Sequence, residues 1–432
     1  MGLSGFIFVW INLSMLSSQA STYKVIFDAG STGTRVHVFQ FNSPTFSFRS
    51  SEITEADLSL ISIPLFAKVQ GGLSEYASNP KGCRAGLMDL VNKAKDVIPR
   101  ADWAKTEVVL MATAGLRLLH ADQAEALLRE ARDVLINYSP FIVGTVDTID
   151  GKLEAKLMFV MTNFVVNSHS EGQRLAIVDL GGGSVQLAYK TDREELATVM
   201  KEAEEYLEHS KRSTLYLHSW LGYGLVAFRM KALEMGGEGQ PHPCVPEWTK
   251  SGETYKYGEK TVPVVPRNPG GTSSVDACID IVKSALSQED PTGICKKITV
   301  SLSQQSSRQC GINGTWLGPT APNAIEEWRL FSYIFDLAAE EGLVPQGSQQ
   351  AKISPNQFLQ AAKVHCDRKV SEKIEWWKCI DLVYVSTLLV EGFKLDPNFP
   401  LSVTKRLVYK GEIELEAAWP LGAAIAAIKN EL

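Results

Sequence analysis

The sequence predicts an α/β protein of two domains, on three observations. Its 432 residues exceed the size at which a single hydrophobic core usually keeps growing. Short apolar runs of strand character alternate with stretches of helical periodicity. A pattern of apolar strand, Asp, Gly/Ser loop and second strand occurs twice, at Asp28 and at Asp179, which is an internal repeat at domain scale.

Phe6 to Leu16 is mostly apolar but short for a membrane span, and Ser18-Gln19-Ala20 supplies small residues where signal peptidase cuts. Residues 1–20 therefore read as a signal peptide and the mature chain as secreted. The rival is an uncleaved membrane anchor, because no Lys or Arg precedes Lys24. Tyr23 to Phe27 is a β-prone run ending in Asp28. The loop Ala29-Gly30-Ser31-Thr32-Gly33 follows, and Val36 to Phe41 completes a hairpin. Glu107 to Met111 is a buried-type strand running into Ala112-Thr113-Ala114-Gly115. Ala124, Leu127, Leu128, Ala131, Val134 and Leu135 then recur at helical spacing. Leu153, Leu157, Met158, Met161 and Val165 form another stripe, with Glu154 in its first turn. Leu175 to Val178 ends in Asp179, and Leu180-Gly181-Gly182-Gly183-Ser184 leads into the strand Val185 to Tyr189. From Gly236 to Pro319 the chain is rich in Gly, Pro and Ser, and reads as irregular insertions stapled by disulfides. Trp419 to Asn430 is a last helix, apolar enough to pack on a domain.

Hydrophobic residues make up 45% and charged residues 21%, an ordinary globular composition. The net charge of −6, with no Lys/Arg block, excludes a nucleic-acid partner. An acidic chain that handles phosphate must concentrate donors or a metal locally. Cys83 stands alone, whereas Cys244, Cys278, Cys295, Cys310, Cys366 and Cys379 lie in the second half. Six cysteines allow 15 pairings, and no CxxC spacing suggests zinc. Asn137-Tyr-Ser and Asn313-Gly-Thr are glycosylation sequons. The histidines show no ligand spacing; His37 in its strand and His365 beside Cys366 read as structural.

A glycine-rich turn lets backbone N–H groups approach an anion closely, and Ser31, Thr32 and Ser184 add hydroxyl donors. Two such loops facing one another would clamp a polyphosphate, with Asp28 and Asp179 at the base of the cleft. Mg²⁺ and Ca²⁺ prefer oxygen ligands, so two carboxylates can hold a hydrated ion beside phosphate.

These segments resemble a known family. Asp28-Ala-Gly-Ser-Thr-Gly-Thr-Arg35, Ala112-Thr-Ala-Gly-Leu-Arg-Leu-Leu119 and Asp179-Leu-Gly-Gly-Gly-Ser-Val-Gln186 are similar to the conserved regions of apyrases, the nucleoside triphosphate diphosphohydrolases. Trp419-Pro-Leu-Gly-Ala423 resembles the family's final motif, and Val36-His37-Val38 points to its plant members. The resemblance covers essentially the mature chain. It implies two ribonuclease-H-like domains, 21–150 and 151–418, with the site between them and helix 419–432 packing back on the first.

Carried over by motif, Asp28 and Asp179 would hold the metal. Ser31, Thr32, Gly33 and Arg35 form the first phosphate loop, and Gly181, Gly182 and Gly183 the second. Thr113 would lie near the attacking water, with Ser184 and Gln186 positioning that water. Glu154 would be the base, kept ionised by its helix N-terminus and a nearby cation, while Arg117 would support the Thr113 loop. Tyr333 and Phe335 are the candidates for stacking the nucleotide base, with helix core as the plainer reading. The family pattern further implies Cys244–Cys295, Cys278–Cys310 and Cys366–Cys379, leaving Cys83 as a buried free thiol. The expected partners are nucleoside tri- and diphosphates, and the expected state a monomer. The chain departs from the pattern after Glu154, where Ala155 replaces a Gly and Leu157 an aromatic residue. The rival reading is therefore a carbohydrate- or nucleotide-binding receptor-like protein with weakened catalysis. Rivals on the same scaffold are a sugar kinase or exopolyphosphatase.

Overall fold

A computed structural model describes residues 21–42, 58–166, 174–191, 205–209, 214–237, 239–268, 274–287, 310–320, 322–367, 375–429 and 431. The expected signal peptide lies outside them. The fold is mixed α/β, built on two sheets.

The first sheet holds β1 (Ser21–Ala29), β2 (Gly33–Asn42), β3 (Leu60–Gln70), β4 (Glu107–Ala112) and β5 (Ile142–Thr148), in the order β3-β2-β1-β4-β5. β1–β2 and β2–β3 are antiparallel, and β1–β4 and β4–β5 parallel. Its helices are α1 (Arg84–Val97), the short α2 (Ala114–Arg117) and α3 (Ala121–Tyr138). α4 (Gly151–Val166) then leads to the second sheet.

That sheet holds β6 (Leu175–Leu180), β7 (Ser184–Thr191), β8 (Leu207–His209), β9 (Thr214–Leu221), β12 (Glu327–Ser332), β13 (Gln350–Ile353) and β14 (Leu401–Thr404). Its order is β13-β14-β12-β6-β7-β9-β8. Without its two edge strands it repeats the first sheet: β6–β7 and β7–β9 are antiparallel, and β6–β12 and β12–β14 parallel. Its helices are α5 (Leu225–Met235), α6 (Ser274–Leu286), α7 (Tyr333–Glu340), α8 (Pro355–Cys366) and α9 (Lys378–Thr387). Two separate hairpins, β10 (Thr254–Tyr257) with β11 (Lys260–Pro263) and β15 (Arg406–Tyr409) with β16 (Ile413–Glu416), complete the strands. The chain's last helix is α10 (Pro420–Ile428).

The period-2 alternation of strands sorts side chains into three cores. Val25 and Phe27 point to one face of the first sheet, against Leu90 of α1 and Leu127 of α3. Val178 and Leu180 point to the outer face of the second, against Phe228 of α5 and Val282 of α6. Between the sheets, Ile26 and Met111 from one and Ile177 and Phe331 from the other share a core with Leu157, Met158 and Met161 of α4 and Ile425 of α10. Each such side chain contributes at most about 1.5–3 kcal/mol on burial. Because β6 is sandwiched on both faces, all six of its residues are buried. Ala155 is fully buried in this shared core, a helical position where Ala is unstrained.

The Trp-Pro-Leu-Gly segment has a packing explanation. Pro420 starts α10, where its missing N–H costs nothing. A Cβ on Gly422 would lie 1.9 Å from the Leu157 carbonyl oxygen, so glycine alone permits this approach of α10 to α4.

Two expectations are corrected. The Gly236–Pro319 segment contains the β10–β11 hairpin and helix α6. The Gly/Pro-rich flanks masked the helical spacing of Val275, Cys278, Val282 and Ala285, all of which are buried. Cys244 bonds to Cys278, with Cα atoms 4.8 Å apart, rather than to Cys295. The same bond excludes Cys278–Cys310. The reason is local: α6 turns Cys278 into the outer core, where Cys244 is also fully buried. Cys295 lies outside the described residues. Cys366–Cys379 joins α8 to α9 as expected, and Cys83 is a buried free thiol whose pKa is pushed up to about 11 by burial. His37 is buried beside Phe39 and Phe66, and His365 pairs with Glu341 at 2.6 Å.

Candidate active site

Both Gly-rich loops close in the same way. Gly30 N–H donates to the Gly33 carbonyl at 3.0 Å, and Gly181 N–H to the Ser184 carbonyl at 3.0 Å. They touch each other: a Cβ on Gly182 would sit 2.7 Å from Ser31 Oγ and 2.9 Å from Thr32 Cγ2. The Thr113 segment lies against both. A Cβ on Gly115 would be 3.0 Å from Ser31 Cα, and one on Gly183 would be 2.8 Å from Ala114 Cβ. Thr113 N–H donates to the Ala29 carbonyl at 3.2 Å, tying this segment to the end of β1. The three motifs thus converge on one place between the sheets.

Each loop is backed by glycines absent from the sequence reading. Gly72 would put a Cβ 2.6 Å from the carbonyl oxygens of Gly30 and Ser31; Gly224 would put one 2.4 Å from the backbone nitrogens of Gly183 and Ser184. Behind the second loop, the free N–H groups at the start of α5 find acceptors, Leu225 N–H on Gly181 and Ala227 N–H on Gly182, both at 2.9 Å. Both segments follow equivalent strands, β3 and β9, as Gly71-Gly72-Leu73 and Gly222-Tyr223-Gly224-Leu225, a second repeat visible only once the folds are compared.

Asp28 and Asp179 are both buried. Arg35 Nη1 donates to Asp28 Oδ2 at 3.2 Å, whereas Ser332 Oγ donates to Asp179 Oδ1 at 2.6 Å. Burial raises the Asp28 pKa, with Arg35 opposing. Burial pushes Asp179 up to about 6; Ser332 and Arg35 lower it and Asp28 raises it. Ser332 holds its place at φ 59° and ψ −125°, a region that L residues rarely adopt.

Glu154 is buried on the first turn of α4, where Arg117 Nη2 donates to Oε2 at 2.6 Å and Gln186 Nε2 to the same oxygen at 3.1 Å. Gln186 also reaches Ser184 Oγ at 2.6 Å and Ser219 Oγ at 3.0 Å, and Arg117 lies 3.4 Å from Ser184 Oγ. The expectation that Glu154 stays ionised is corrected for the protein alone. Burial dominates and pushes its pKa to about 8; Arg117 opposes, while Asp179 and Asp28 raise it further. Arg117 does more than support the Thr113 loop, because it joins that loop to Glu154 and Ser184.

Three buried carboxylates, each lifted by desolvation and by the charge of a neighbouring carboxylate, are short of positive charge. Their oxygen donors suit a hard divalent cation. Among the described residues no group of three or more His, Cys, Asp or Glu could hold a metal, so Asp28 and Asp179 would leave most positions to water and phosphate oxygens.

Phe335 is packed into the outer core of the second sheet, and Tyr333, only partly buried, packs against the same core. Tyr257 was not anticipated: its phenol lies 2.8 Å from where a Gly183 Cβ would be. Ser332, Ser219 and Tyr257 carry no sequence signal beyond their residue type.

The family model for GDA1/CD39, described as nucleoside phosphatases, matches residues 14–431. The chain belongs to the GDA1/CD39 nucleoside phosphatase family. Similar curated proteins include Apyrase 1 of Arabidopsis thaliana, 33% identical over 96% of this chain and 86% of its own length. Apyrase of Solanum tuberosum is 32% identical over 96% and 90%, and ectonucleoside triphosphate diphosphohydrolase 5 of Mus musculus 30% over 96% and 89%. Among solved structures, nucleoside triphosphate hydrolases from Neospora caninum align with a TM-score of 0.61 at 15% identity, covering 95% of this chain and 93% of theirs. The Aquifex aeolicus member of the Ppx/GppA family aligns at 0.51 and 14%, covering 95% and 99%. At such identities the structures show a shared fold. This GDA1/CD39 member is an enzyme, and its likeness over nearly the whole chain is to nucleotide hydrolases rather than to a receptor.

Proposed function

We propose that the protein removes the terminal phosphate from nucleoside tri- and diphosphates by in-line attack of water, with Glu154 taking the water proton. The observation that carries this reading is the contact between two matched Asp/Gly loops beside a buried carboxylate wired to Arg117, Gln186 and Ser184. The N–H groups and hydroxyls of Ser31, Thr32 and Gly182 to Ser184 would bind the phosphate chain, with the Gly181 N–H holding the second loop closed. Arg35 would add a cation to the first loop. Asp28 and Asp179 would hold Mg²⁺ or Ca²⁺, which when bound neutralises charge on the phosphate oxygens. Ser184 and Gln186 would orient the water, with Thr113 beside it, and the Glu154 carboxylate would receive the proton. Tyr333, the less buried of the two rings, would be the one to meet a base. Residues 21–150 and 151–418 are proposed as the two domains.

Secretion rests on residues 1–20 and on the disulfides; no helix among the described residues is long and apolar enough to cross a membrane. Asn137 is exposed and would be the accessible glycosylation site. Phosphate release from ATP, ADP, AMP and polyphosphate, each with Mg²⁺, Ca²⁺ or EDTA, tests the reaction. Release from ATP and ADP alone, lost in EDTA, is the expected result. Release from polyphosphate alone, or undiminished release in EDTA, contradicts it.

A further inference from the structure

Lys68 on β3 stands directly opposite Arg35 on β2 in the antiparallel register. Like charges in that relation destabilise a sheet unless something offsets them. Arg35 is offset by Asp28. Lys68 has no hydrogen bond or ion pair among the described residues, although its arm is held in a definite place. A Cβ on Gly33 would lie 2.7 Å from Lys68 Cε and 3.6 Å from Nζ, just as one on Gly30 would lie 3.0 Å from Arg35 Nη1. The two cationic arms are therefore draped over the two glycines of the first loop. The surrounding charges do not satisfy the ammonium. Burial and Arg35 lower its pKa; Glu416 and Asp336 offset this in part, and Lys405 adds to it. Asp336 is already bonded to Lys405 at 2.8 Å, and Glu416 Oε2 is buried without a hydrogen-bond partner.

Lys68 is bonded to neither Glu416 nor Asp336, so an exposed cation beside the phosphate-type loop stays available to an anion. We propose that Lys68 is a second phosphate-binding cation of the first loop, contacting the nucleotide's phosphate chain together with Arg35. This rests on the nucleotide-hydrolysis reading above.

The test compares Lys68→Met, which keeps most of the arm and removes the charge, with Lys68→Arg. Calorimetry with a methylene-bridged, non-hydrolysable ATP analogue and Mg²⁺ measures Kd, and phosphate release from ATP measures KM and kcat. Lys68→Met should weaken analogue binding and raise KM by about tenfold, the scale of one charge-assisted contact, with the loss falling on binding rather than on kcat. Lys68→Arg should restore most of it. An unchanged Kd in Lys68→Met, whatever its melting temperature, overturns the proposal. Wild-type protein that binds the analogue through Lys68 but releases no phosphate would sink the hydrolase reading and leave this inference standing.

Discussion

The two loop hairpins share a backbone and differ in chemistry. In each, the Asp at the end of the first strand faces a residue seven positions later on the second: Asp28 faces Arg35, and Asp179 faces Gln186. Both loops close with one N–H to carbonyl bond, and both rest on a glycine that follows an equivalent strand, β3 or β9. Yet Arg35 turns back onto its own Asp, while Gln186 turns away to Glu154, Ser184 and Ser219. The repeated architecture supplies a symmetric cradle, and the substitution of an amide for a guanidinium makes it directional. In the proposed reaction, one side would carry cations for phosphate and the other the network around the base.

The sharpest way to test that asymmetry is Glu154→Gln. If the second side holds the base, kcat should fall by roughly 10²-fold or more with nucleotide affinity little changed. The same variant has a metal-free signature. A carboxyl whose folded pKa is raised favours folding while protonated, and that advantage is lost as pH rises through the folded value. For Glu154 the window runs from about 4.5 to about 8, and for Asp179 from 3.8 to about 6. In EDTA the melting temperature should therefore fall between pH 5 and 8, and Glu154→Gln should flatten the upper part of that fall. Wild-type kcat, with an unchanged pH slope, would place the base elsewhere.

Much of the cradle was legible in the sequence because strands, Asp and glycine turns obey local rules. The wiring was not. Arg117 reaches Glu154 only because α2 and α4 meet, and Ser332 reaches Asp179 only because β12 lies beside β6. The raised Glu154 pKa belongs to burial, which no sequence spacing reveals. Phe335 and Tyr333 differ by two residues on one helix, and only packing tells that Phe335 is the more deeply buried in the core both touch. The Cys244 pairing depended likewise on the facing of α6.

A smaller effect tests the equivalence of the cradle's two halves. Gly72→Ala and Gly224→Ala each drive a Cβ into loop backbone, at 2.6 Å and 2.4 Å respectively. Each should cost about 1–3 kcal/mol in denaturant unfolding and lower turnover. A Gly224→Ala protein as stable as wild type would break the equivalence.

The central claim is that the two loops make one site around one cation. Its most direct measurement is a double-mutant cycle on Asp28 and Asp179, following ATP hydrolysis against Mg²⁺ concentration in folded Asp28→Ala, Asp179→Ala and double variants. If both carboxylates serve one ion, either single change removes most activity and the Mg²⁺ response, and the double loses little more than either alone. Independent, additive losses, or near-normal hydrolysis by folded Asp179→Ala, would contradict the account.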